Sequence, residues 1–79
     1  MSHTPHELSE EFPNDTAKLQ SLRQTDQHFA RLCDEYHEIN RAVHRAETDV
    51  EPTTDDHMAE MRKTRLMLKD QIAAKLKAA

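Results

Sequence analysis

Between Phe29 and Ala46, apolar side chains recur at alternating steps of three and four residues: Phe29, Leu32, Tyr36, Ile39, Val43 and Ala46. Nearly everything between them is charged or histidine. An α-helix gathers such a set onto one narrow face, whereas a strand scatters it over two. A second stripe follows, made of Met58, Met61, Arg65, Leu68, Ile72 and Leu76. The two match in length, and the stretch between them contains Pro52. Folded back there, Ala46 faces Met58, Val43 faces Met61, Tyr36 faces Leu68 and Leu32 faces Ile72, while Phe29 approaches Leu76. The pattern predicts an all-α antiparallel helical hairpin, packed at the shallow angle of coiled coils.

Capping residues set the expected limits. Thr25 is a natural N-cap and Asp26 suits a helix N-terminus, which predicts a break near residues 24–26 and a helix over 26–48. Thr53 or Thr54 caps a last helix over 55–77, with Asp55 and Asp56 in its first turn and Lys75 and Lys77 near its end. The chain has no glycine, so Asp49 is the expected C-cap of the first long helix. Residues 1–25 read as a short helical extension to the hairpin of residues 26–79. In it Thr4 caps, Pro5 takes the first helical position and Glu7 completes a capping pattern, until Pro13 ends the piece at Phe12. A second short segment runs from Asn14 to Gln24 and carries Leu19 and Leu22.

Two features point beyond an isolated hairpin. Arg65 falls inside the apolar stripe, where an unpaired guanidinium is costly. It is expected to reach Glu35 or Asn40 across the seam, to be satisfied by another subunit, or to snorkel to water along its stem. Leu19, Leu22, Leu66 and Met67 lie off the hairpin seam and are expected to meet a second copy, giving a homo-oligomer. At 79 residues a single core is small, which makes such burial valuable.

Composition narrows the function. No apolar run is long enough to span a bilayer, and the first residues predict no secretory signal. The single Cys33 excludes an internal disulfide and suits a reducing, cytoplasmic location. His37 and His44 stand roughly 10 Å apart along a helix axis, too far to share an ion, and neither metal nor cofactor is expected. Without glycine no phosphate-cradling loop of the usual kind forms, and Cys33 lacks a neighbouring base, so an enzyme is not expected. Residues 1–54 carry 5 Lys/Arg against 11 Asp/Glu and residues 55–79 carry 6 against 4. An acidic first part thus precedes a basic last helix. A protein–protein interaction or scaffold role is the leading expectation, with a protein partner. An RNA-binding regulator using Arg62, Lys63 and Lys69 is the alternative.

The stretches "HELSEEFP", "LRQTDQHFARLCDEYHEINRAVHRAE" and "RLMLKDQIAAKL" together resemble the YdcH-like family of small bacterial proteins, over about residues 6–77. The resemblance implies a cytoplasmic coiled-coil hairpin of unknown function, with no enzymatic residues to carry over. The chain departs from the family pattern at Ala46, where isoleucine is usual, and lacks the glycine often seen near the bend.

Overall fold

The computed structural model describes residues 4–48 and 53–79. Among them every regular element is helical. Helix α1 spans Leu8–Glu11, a 3-10 turn covers Pro13–Asp15, and α2 spans Thr16–Thr25. The two long helices are α3, Gln27–Glu47, and α4, Asp55–Ala78.

The long helices form the expected hairpin. Three polar pairs join them in opposite order along the chain: Asp26 with Lys75, Asn40 with Arg65, and Glu47 with Arg62. Phe29, Leu32, Tyr36 and Val43 of α3, and Met61, Leu68, Ile72 and Leu76 of α4, are all buried, and Ala46 with them. Ile39 and Met58 are half-buried at its edge. Asn40 and Arg65 interrupt this seam. On one side lies the larger cluster from Phe29 to Tyr36 and Leu68 to Leu76, with the buried Cys33; on the other lie Val43, Ala46 and Met61.

Capping explains most of the limits. Thr54 Oγ1 accepts a hydrogen bond from the His57 amide at 3.1 Å, and α4 carries Asp55 and Asp56 in its first turn and Lys75 and Lys77 in its last. Both arrangements favour the helix dipole. The break falls one residue later than Thr25 suggested. Asp26 is the N-cap of α3, extended at φ −127° and ψ 104°, with its carboxylate accepting from the Phe29 amide at 3.1 Å. Thr25 instead ends α2, its hydroxyl turned back to the Ser21 carbonyl at 3.0 Å. An ionised carboxylate is the stronger partner for helix-terminal amides, so it takes the cap. At the other end of α3, the Thr48 hydroxyl donates to the His44 carbonyl at 2.9 Å. The expected Asp49 cap and the turn at Pro52 lie outside the described residues.

The N-terminal part departs further from expectation. Thr4 does not start a helix; α1 begins only at Leu8, after a turn at Pro5 and His6. His6 sits at φ 63°, in the left-handed region, which histidine enters more readily than most residues. The extended backbone at Asp26 also reverses the chain, so α2 lies back along α3, with Arg23 Nη2 3.2 Å from Asp34 Oδ1. Leu19 is therefore buried inside one chain, 6% exposed, and Leu22 packs partly against the same core. Both were expected at an interface between copies. That expectation assumed α2 projecting past the hairpin, and its retreat onto α3 removes the need. Lys18 fastens this segment to the far end of α4, its ammonium donating to the Leu76 carbonyl at 3.1 Å.

Candidate interaction surfaces

Two residues of α3, Tyr36 and Asn40, stand four apart and therefore point along one face. Both reach backbone carbonyls of the N-terminal arm, residues 4–12. The Tyr36 hydroxyl donates to the His6 carbonyl at 2.7 Å, and Asn40 Nδ2 donates to the Pro5 carbonyl at 2.9 Å. Asn40 Oδ1 accepts from Arg65 Nη1 at 3.0 Å. The amide thus ties α4 to the arm through its acceptor and its donor at once. Of the two expected acceptors for Arg65, Asn40 is the one used; Glu35 is exposed, beside Glu38 and Arg45 in a shallow hollow.

Carboxylates of the arm meet cations around this polar layer. Glu11 Oε1 lies 3.0 Å from His6 Nδ1 and 3.4 Å from Lys69 Nζ. Burial alone would raise the Glu11 carboxyl, but the bonds and charges of His6 and Lys69 outweigh it and hold the group below its ordinary value. Glu7 Oε2 approaches His37 Nδ1 to 3.0 Å. That nitrogen is buried, and the contact has the distance of an ion pair without hydrogen-bond alignment. Between arm and α4 a cleft of about 170 Å³ is lined by His6, Glu11, Arg62, Arg65, Leu66 and Lys69.

Burial disfavours the ionised, nucleophilic forms of Cys33 and Tyr36. Desolvation pushes the Cys33 thiol up, away from the thiolate that reacts. Desolvation, with the Glu11 charge nearby, raises the Tyr36 hydroxyl to about 12, against the smaller opposing effect of Arg65. The unfolded tyrosine ionises near its ordinary value of 10.0. The stability that Tyr36 contributes is therefore full below pH 10.0 and falls as pH rises from there through about 12. Tyr36 is the only tyrosine, so phenolate absorbance reports on it alone. Ionisation is expected to lag well behind a free tyrosine and to coincide with loss of helical signal. Titration near 10 with the helices intact would show that the hydroxyl is not buried.

The outer face of α4 is different in character. Leu66 is 59% exposed and Met67 54%, side by side. The basic residues around them are largely engaged within the chain. Arg62 Nη2 pairs with Glu47 Oε2 at 2.9 Å, Lys69 reaches Glu11, and Arg65 holds Asn40. Lys63 is exposed. Reading the sequence located Arg65, Asn40, Leu66 and Met67. It missed His6, Glu7, Glu11 and the role of Tyr36, whose partners are main-chain carbonyls or residues far away along the chain.

A family model described as "Protein of unknown function (DUF465)" matches residues 29–76. The match begins at Phe29 and ends at Leu76, so it covers the hairpin seam from one end to the other. No curated protein and no solved structure matches the chain.

Proposed function

The chain belongs to the DUF465 family, to which YdcH-like proteins also belong, and from this footing we propose that it is a non-enzymatic protein-interaction module. It acts in the cytoplasm by presenting the outer face of α4 to a protein partner, which can include a second copy. The carrying observation is the exposed Leu66–Met67 pair. In a chain whose other large apolar side chains are buried or half-buried among the described residues, two adjacent exposed ones form the surface with most to gain from a partner. Methionine suits such a surface because its flexible thioether adapts to varied shapes.

The RNA alternative is less well supported. Arg62 and Lys69 are paired with Glu47 and Glu11, and phosphate would have to compete with those carboxylates. No helix among the described residues is long and apolar enough to cross a membrane.

Affinity capture from the native cell, with and without RNase, tests the proposal. Recovery of a protein partner is expected to survive RNase and to fall at least tenfold for a Leu66→Glu/Met67→Glu chain of unchanged helicity. Putting charge in place of two apolar side chains that the partner would bury costs roughly 3 kcal/mol or more, beyond a tenfold effect. Recovery that RNase abolishes and salt weakens would instead establish the nucleic-acid alternative. Sedimentation separates self-association from a foreign partner. A mass above the 9.2 kDa of one chain, reverting in the same variant, identifies the second copy.

A further inference from the structure

The arm of residues 4–12 is joined to the hairpin almost entirely through side chains. Its backbone–backbone hydrogen bonds, among the described residues, close within the arm or onto the adjoining 3-10 turn. The groove beneath it is built from fixed parts on α3 and α4. Tyr36 and Asn40 supply two donors aimed at carbonyl oxygens of Pro5 and His6. Carbonyls are common to every peptide, so these two bonds hold a backbone without reading its sequence. Selectivity comes from what lies beside them. His37 faces Glu7 and Lys69 faces Glu11, while Leu8 is buried and Phe12 half-buried against the core. The arm thus satisfies a repeated doublet four residues apart: Glu7-Leu8, then Glu11-Phe12.

Charge in the groove is not exhausted by this occupant. Arg65 is half-buried and its hydrogen bond goes to Asn40, a neutral amide. A further carboxylate placed in the cleft of Arg62, Arg65 and Lys69 would meet a cation held in position. The arm also fits imperfectly, because it carries a non-glycine residue, His6, in the left-handed region, a conformation in which a side chain is disfavoured. A segment with glycine at that point and one more acid would occupy the groove better than the arm does.

We propose that this groove is a second docking site, for an acidic amphipathic segment of another protein bearing Glu-apolar-x-x-Glu-apolar, and that the arm is its built-in competitor. The arm keeps Tyr36 and Asn40 engaged until such a segment displaces it. Apparent affinity is then reduced by the fraction of chains whose arm is closed, and anything that loosens the arm raises it. The site adjoins the Leu66–Met67 face, since Leu66 lines its cleft, and it recognises the two doublets through His37, Lys69, Tyr36 and Asn40.

The test uses the full-length chain and a synthetic peptide of residues 4–12 as probe. Leu8→Asp places a charge where the arm must be buried, and so opens it. By fluorescence anisotropy the Leu8→Asp chain is expected to bind the peptide at least tenfold more tightly than the parent does. A peptide with lysine at both glutamate positions, 7 and 11, is expected to bind neither. Should Leu8→Asp lose helicity, Glu11→Lys serves in its place, since it sets Lys69 against a like charge at the half-buried edge and spares the core. Equal binding to parent and opened chains, no binding to a folded opened chain, or undiminished binding of the charge-reversed peptide would each overturn the proposal. No cellular partner enters this titration, so its result is independent of the capture experiment.

Discussion

Replacing Tyr36 with alanine is expected to lower stability by about 3–5 kcal/mol, the range for truncating a large buried ring. A domain of this size has roughly 4–12 kcal/mol in all, so the variant should melt some 15–30 °C lower or fail to fold. Tyr36 is fully buried and the largest such side chain among the described residues. It meets the larger apolar cluster through its ring and the arm through its hydroxyl. Tyr36→Phe separates the two roles. It keeps the ring, strands the His6 carbonyl, and should cost only about 1 kcal/mol. Thermal melts followed by far-ultraviolet circular dichroism measure both. If Tyr36→Ala melts within a few degrees of the parent, the ring is not in the core.

The second large effect belongs to Asn40. At 1% exposure it is the one buried polar side chain among the described residues. Asn40→Ala leaves the Pro5 carbonyl and the half-buried Arg65 guanidinium without their partner, at about 1–3 kcal/mol for each group. A loss of about 2–6 kcal/mol is expected in urea melts. Arg65→Leu should cost less, because it strands only the buried Asn40 Oδ1 acceptor and leaves an apolar side chain in an apolar stripe. Combining Asn40→Ala with Arg65→Leu is then expected to cost about 1 kcal/mol less than the separate losses summed, or better. Strict additivity would show that the amide and the guanidinium do not depend on each other.

Much of the hairpin was legible in the sequence because its cause is periodic. Phe29 to Ala46 and Met58 to Leu76 define two faces of matching length, and antiparallel closure follows from their spacing. The observed pairs Asp26–Lys75, Asn40–Arg65 and Glu47–Arg62 agree with that register. Thr54 was legible as a cap because it has no close competitor but Thr53. The Thr25–Asp26 choice turned on which of two good capping side chains wins. Thr4 failed for a different reason. The capping pattern from Thr4 to Glu7 is a local preference, and Asn40 and Tyr36, far away along the chain, draw the Pro5 and His6 carbonyls into a turn instead. Main-chain carbonyls leave no mark in the sequence, so an anchor made of them is hard to read from it. Leu19 and Leu22 were misplaced for a related reason. Periodicity describes a helix but not the direction it takes after a break, and the extended backbone at Asp26 sends α2 back onto α3.

The polar layer of Asn40 and Arg65 also bears on how the molecule moves. It divides the buried seam into a large cluster that includes Leu8 and Leu19, and a small one of Val43, Ala46 and Met61. Only the large cluster receives support from α1 and α2, while the small one depends on the ends of α3 and α4 nearest the bend. Opening can therefore be graded, since regions with little apolar packing open at lower free energy than the whole. The bend end can separate in short excursions while Phe29, Tyr36 and Ile72 stay packed. Amide protons near Val43 and Met61 then exchange by local opening, and those near Phe29 and Ile72 only by global unfolding. The same residue pair that joins α3 to α4 thus marks where the hairpin's cooperativity ends.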